Sequence, residues 1–248
     1  MDTPGYVALS RLTAQRRATD VLATNIANAD TPAFKASQTL FAEHMARQTR
    51  VHGPSSAREV AFAVDRATWR DLSTGALQQT GNPLDLALSG DGFFAVETPR
   101  GERFTRAGRF TLNPDSQVVD AEGNPVLLEG GTPLTLPRGD VRIQINGDGS
   151  VSTESGPQGR LRVVRFDDPQ RLLAEGDRLL NAPAEMPPQP AERAGVVQGA
   201  VEGSNVKPVV ELTRLTAEMR EFQFAAQFVE KEGERLSTAV DRILRRRT

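Results

Sequence analysis

The chain has 248 residues, 38% of them hydrophobic and 5% aromatic, with a formal net charge of −2. That length suits one large domain or two modest ones, and the near balance of charge directs no bulk field at nucleic acid or an anionic membrane. There is no cysteine, which excludes disulfides, thiolate metal sites and cysteine nucleophiles.

Residues 3–29 read as a helix. Pro4 falls where a first turn tolerates a missing N–H, and Ala8, Leu12, Leu22 and Ile26 recur at helical spacing. Val7, Ala14, Ala18 and Val21 form a second strip beside the first, so the apolar surface is broad, made largely of small residues and without an aromatic anchor. The helix ends in NIANADTPAF: Asn28 and Asp30 suit a terminus, and Pro32 pushes Thr31 out of helical geometry. The start, MDTPGYVALSRLTAQRR, lacks the basic region and apolar core of a cleaved secretory signal. No run of about 18 apolar residues occurs anywhere, so no membrane-spanning helix is expected.

Residues 33–80 are mixed. FKASQTLFAEHMAR suits a short helix or an extended arm, VHGPSSAREV is a loop by composition, and the stretch after it is extended. From 84 to 166 the period changes to two. Leu84, Leu86 and Leu88 alternate, SGDG turns and FFAVET returns, which signals a hairpin. Further short apolar runs follow, separated by NPDS, AEGN, EGG and NGDGS, and predict a small antiparallel sandwich or barrel-like domain. The segment NAPAEMPPQPAE, with four prolines, reads as a connector.

At the C-terminus Asn205 is a candidate N-cap and Pro208 lies in a first turn. From there Leu212, Leu215, Met219, Phe222, Ala226, Val229, Gly233, Leu236, Val240 and Ile243 follow alternating steps of three and four, and only Gly233 interrupts the apolar seam. A helix over 206–246 is about 60 Å long at 1.5 Å per residue, and it outruns the N-terminal one. Pairing the two leaves apolar surface uncovered, and large exposed apolar surface marks a partner site. The expected fold class is therefore α+β: long N- and C-terminal helices forming a coiled-coil-like helical module, with a central all-β, antiparallel domain. The expected boundaries are 1–32 for the N-terminal helix, 33–80 for an extended arm, 81–182 for the β domain, 183–204 for a returning connector and 205–248 for the C-terminal helix.

Chemical motifs are sparse. His44 and His52 have no third metal ligand near them in sequence. NGDGS and SGDGFF lack the spaced acidic ligands of a calcium loop and read as hairpin turns. No phosphate loop, dinucleotide fingerprint or nucleophile elbow is present. The terminal RRR at 245–247 reads as a cationic helix end rather than a nucleic-acid contact. No catalytic group, cofactor or metal site is expected.

Three segments in order, NIANADTPAFKAS, GALQQTGNPLDLALSGDGFFAV with RFTRAGRFTLNPDSQVVDAEGNPVL, and VVQGAVEGSNVKPVVELTRLTAEMREFQFAAQ, resemble the axial family of the bacterial flagellum, its rod, hook and hook-associated proteins. Within that family the compact region before TGALQQTGNP resembles the proximal-rod type, the distal-rod relative usually carrying a longer insertion there; a distal-rod or hook-type subunit is the alternative. The resemblance implies a structural, non-enzymatic subunit whose terminal helices pack with neighbouring copies of itself and other rod proteins around an export channel. It also implies export by the flagellar type III apparatus without a cleaved signal, to a periplasmic rod. The residues expected at the subunit interface are Leu12, Leu22, Asn25, Ile26, Asn28, Leu212, Leu215, Met219, Phe222, Ala226, Val229, Leu236, Val240 and Ile243. No nucleic acid, small-molecule substrate or membrane span is implied. One position departs from the pattern: Ala33 stands where the family has glycine, and extended backbone is expected there, since positive φ strains an alanine.

Overall fold

The computed structural model describes residues 3–48, 58–140, 142–176, 178–191 and 194–245. His52, residues 51–57 of the expected loop VHGPSSAREV, and Arg246 and Arg247 lie outside the described residues, as do the side chains of Val7, Ala8, His44, Leu236, Val240 and Ile243; residues 58–60 of that expected loop are strand instead. The chain divides into two compact units. The first joins Met1–Ala27, Ser37–Asp71 and Lys207–Thr248; the second joins Asn28–Ala36 and Leu72–Val206.

In the first unit, α1 (Thr3–Ala27) begins with Thr-Pro and presents Ala14, Ala18 and Leu22 as its buried stripe, one turn apart. Strands β1 (Ser37–Gln48) and β2 (Arg58–Arg70) pair antiparallel from Ser37 opposite Arg70 to Gln48 opposite Arg58, with one irregularity between Leu40 and Phe41. A two-stranded ribbon is marginal alone, and α1 packs against both strands. The second long helix of this unit, α2, runs Pro208–Arg245. Its first turn hangs on Lys207, whose carbonyl accepts from the amides of Val210 (3.0 Å) and Glu211 (3.1 Å). Pro208 thus takes the first helical position, where its missing N–H costs nothing. Asn205 is not the cap that its type suggested. Its Oδ1 accepts from the Ala36 amide at 2.7 Å and its Nδ2 donates to the Ser73 carbonyl at 3.2 Å.

The coiled-coil-like helical module expected from the heptad seam is not found. Among the described residues there is one N-terminal and one C-terminal α-helix, and the middle of the chain is mostly β. The physical reason lies in what α1 offers. Its buried stripe is alanine, glutamine, leucine and asparagine, too small and too polar to seat knobs from a leucine-type seam. Seam positions Leu212, Met219, Phe222 and Val229 accordingly stand exposed.

The second unit is built from short strands, all antiparallel. In chain order they begin with β3 (Leu77–Gln79), β4 (Leu86–Ser89), β5 (Phe93–Thr98), β6 (Gly101–Thr105), β7 (Thr111–Leu112) and β8 (Val118–Val119). Then come β9 (Ile143–Ile145), β10 (Ser150–Thr153), β11 (Gly156–Arg160) and β12 (Val163–Arg165). A 3-10 turn at Pro169–Arg171 precedes β13 (Leu173–Ala174), β14 (Leu180–Asn181), β15 (Gln189–Pro190), β16 (Gly195–Gln198) and β17 (Ala200–Glu202). The largest sheet orders its six strands β13-β14-β6-β5-β12-β15. The others have two or three strands, including β16 on β4 and β17 on β3.

Strand β5 explains the core. Its side chains alternate between two apolar clusters, as a pleated strand buried on both faces requires. Phe94 and Val96 enter one cluster with Leu86, Leu88, Phe110 and Val126, while Phe93 and Ala95 enter another with Phe104, Val164 and Phe166. Edge-to-face rings pin both: Phe94 on Phe110 at 5.4 Å and Phe104 on Phe166 at 4.9 Å. Backbone closeness does the rest. The Leu86 amide donates to the Gly108 carbonyl at 2.8 Å, and a Cβ on Gly108 would sit 1.6 Å from the Leu86 carbonyl oxygen.

Candidate assembly interface

On α1, Leu22 is buried and Leu12 and Ile26 are half-buried. Asn25 is 1% exposed, and its amide serves backbone. Oδ1 accepts from the Ser37 amide at 2.9 Å, and Nδ2 donates to the Ser37 carbonyl at 2.8 Å. One side chain thus imitates a strand neighbour at the first residue of β1, satisfying an edge that β2 leaves open. Nδ2 also lies 3.4 Å from Glu211 Oε2 on α2. Further along, Gln15 and Arg11 reach Glu221 of α2 at 3.4 and 3.1 Å. The Arg11–Glu221 pair is well exposed and contributes little. Asn28 is half-buried and closes the turn after α1: Thr31 donates its amide to the Asn28 carbonyl (3.2 Å) and its hydroxyl to Asn28 Oδ1 (3.1 Å).

Ala33 departs from expectation. Its φ is +59°, the left-handed region, not extended backbone. The residue is buried, and its amide donates to the Glu202 carbonyl at 2.8 Å. The turn that follows Thr-Pro therefore keeps a geometry suited to glycine, and the alanine carries about 1–2 kcal/mol of steric cost.

On α2 the apolar residues divide. Leu215 and Ala226 are half-buried, whereas Leu212 and Met219 are 50% and 52% exposed. Sequence reasoning missed a second flank. Val210, Ala217 and Phe224 recur every seven residues, and Phe228 follows one turn on. At about 100° per residue they point away from Leu212 and Met219, and Phe224 and Phe228 are 71% and 55% exposed. The repeat itself was the available signal. A shallow groove of about 320 Å³ within the first unit is lined by Ala18, Leu22, Thr39, Glu211, Arg214 and Glu218. Burial and the neighbouring Glu221 push the Glu218 carboxyl above its ordinary range, against the opposing pull of Arg11. The arrangement offers apolar surface for packing. Among the described residues there is no cluster of three histidine, aspartate or glutamate side chains able to hold a metal, and no helix long and apolar enough to cross a membrane.

Three family descriptions match the chain in order: flagella basal body rod protein over 6–35, flagellar hook protein FlgE/F/G D1 domain over 87–153, and flagellar basal body rod FlgEFG protein C-terminal over 197–242. The flagellar basal-body rod protein FlgF of Caulobacter vibrioides is 37% identical over 98% of this chain and 98% of its own. That of Mesorhizobium japonicum is 35% identical over 95% of each. The rod protein FlgG of Bacillus subtilis is 31% identical over 90% of this chain and 92% of its own. The chain belongs to the flagellar basal-body rod proteins, and within them it is of the FlgF type.

Proposed function

We propose that the chain is a structural subunit of the proximal rod that polymerises through its terminal helices and forms part of the drive shaft and the wall of its export channel. The observation that carries this reading is the row of large apolar side chains standing in solvent along α2, in a chain of the rod family. Exposed apolar surface on that scale needs a partner, and a helical assembly uses different faces toward different neighbours. Two flanks on one helix suit that requirement. The interface then comprises Leu12 and Ile26 near the start, with Leu22 and Asn25 buried behind them in the first unit and Asn28 at the helix exit, and Leu212, Leu215, Met219, Phe222, Ala226, Val229, Leu236, Val240 and Ile243 near the end. Asn25 and Asn28 act indirectly, by holding the helix exit in place. The partners are further copies and other rod components. The route to the periplasmic rod is the flagellar export apparatus, and the work is mechanical rather than catalytic.

The experiment replaces Leu215 and Phe222 with Asp in the full chain. Motility is lost while hydrogen-exchange protection of β5 and β6 stays native. Normal swimming with that variant contradicts the reading. Labelling the protein in isolated basal bodies and locating it by cryo-EM distinguishes a proximal position from a distal one.

A further inference from the structure

The second unit holds a buried ionic cluster whose members all lie within that unit. Glu202, the last residue of β17, is 1% exposed. Its Oε1 accepts from Lys35 Nζ at 2.5 Å and from the Gly75 amide at 3.0 Å, and its Oε2 accepts from Arg106 Nε at 2.7 Å. Both cations are themselves buried, with side chains 8% and 7% exposed. Two positive charges therefore face one carboxylate, and backbone oxygens take the remaining donors. Arg106 reaches the carbonyls of Gly90 and Gly92 at 3.1 and 2.9 Å, and Lys35 reaches that of Ser73 at 2.7 Å.

What the cluster joins is informative. Residues 34–36, 71–76 and 106–108 belong to no helix or strand. Lys35 comes from the stretch after Thr-Pro, Gly75 from the approach to β3, and Arg106 from the loop after β6, up to 167 residues from Glu202 in sequence. Such segments have no sheet ladder of their own and are tied to their neighbours by single backbone bonds, such as the Ala33 amide on the Glu202 carbonyl and the Gly203 amide on the Ala76 carbonyl, each 2.8 Å. We propose that Glu202 is an electrostatic clasp: its charge gathers these irregular segments onto the end of β17, and losing that charge releases residues 33–36 and 73–75 while the β core stays folded. The clasp stands independently of rod assembly, because every group in it lies in the second unit.

The test is hydrogen exchange on the full-length monomer of Glu202→Gln and, separately, Lys35→Met. Glutamine keeps one oxygen for the Gly75 amide, but its NH2 then meets Arg106 Nε, so this variant removes the charge together with the Arg106 acceptor, whereas Lys35→Met leaves the carboxylate with both oxygens. Breaking a buried pair leaves an uncompensated charge, and Glu202→Gln is expected to speed exchange at Ala33, Ala36 and Gly75 about 100-fold, with β5 unchanged. Lys35→Met removes one arm and is expected to give about tenfold at the same amides. Adding Lys35→Met to Glu202→Gln then changes little, because the two share one interaction. Native exchange at all three amides in Lys35→Met overturns the proposal. If Glu202→Gln fails to fold, Lys35→Met decides the matter, and loss of β5 protection in that variant also overturns it, since the ions would then stabilise the core as a whole.

Discussion

The two units dispose of their apolar residues in opposite ways. In the second, strand β5 buries Phe93, Phe94, Ala95 and Val96 on both faces, and two clusters close over them within the same unit. In the first, α2 carries Phe224, Phe228, Leu212 and Met219 into solvent, and α1 returns only alanines, one leucine and polar groups. Apolar residues that meet one another within a unit need no partner, whereas the row along α2 is left open and is the surface assigned above, as a proposal, to assembly.

That contrast can be broken most severely at Gly108. Any Cβ there meets the Leu86 carbonyl oxygen at 1.6 Å, so Gly108→Ala is expected to cost the second unit more than about 4 kcal/mol, measured by urea titration of β-core exchange protection. A small effect would mean that the second unit is less tightly closed than its packing indicates. The first unit has its counterpart in Asn25, whose loss strands the Ser37 amide and carbonyl. Asn25→Ala is expected to cost about 2 kcal/mol. Trp69, opposite Gln38 in the β1–β2 register, supplies the fluorescence that reports it.

Acid separates the units more gently. Burial works to raise the Glu202 carboxyl, but Arg106, Lys35 and the Gly75 amide together hold it below its ordinary value. A carboxyl depressed in the folded state contributes its stability fully above the unfolded pKa of about 4.5, and loses it as pH falls through the lower folded value. Exchange protection at Gly75 should therefore decline below about pH 4.5 in the native chain, and show a flatter profile in Glu202→Gln. The smallest effect has the opposite sign. Ala33→Gly removes a left-handed alanine and is expected to stabilise by roughly 0.5–1 kcal/mol, after the greater unfolded freedom of glycine is subtracted. Destabilisation would mean that the turn is not left-handed.

The β core was legible because alternation is local: Leu84, Leu86, Leu88 and the FFAV run can be read without knowing their partners. The C-terminal helix was equally legible, but its heptad spacing misled about the partner. A seam specifies a face, not what covers it, and the stripe on α1 is too small to zip with it. Ala33 could not be placed from its type, since alanine disfavours the backbone that the turn imposes. Nor could Asn205, a good cap by composition whose amide is drawn instead to Ala36 and Ser73. Glu202 gave no signal at all, because its cations lie 96 and 167 residues away. Local propensity reads elements; groups that meet across the fold must be seen.

The central claim is that the face of α2 bearing Met219 is free in the monomer and covered in the rod. Because the chain has no cysteine, Met219→Cys introduces a single thiol. Its reaction with a maleimide probe can be compared between the purified monomer and rods assembled from the same variant. Rapid labelling in the monomer with strong protection in the rod is the result expected. Equal labelling in both would contradict the account.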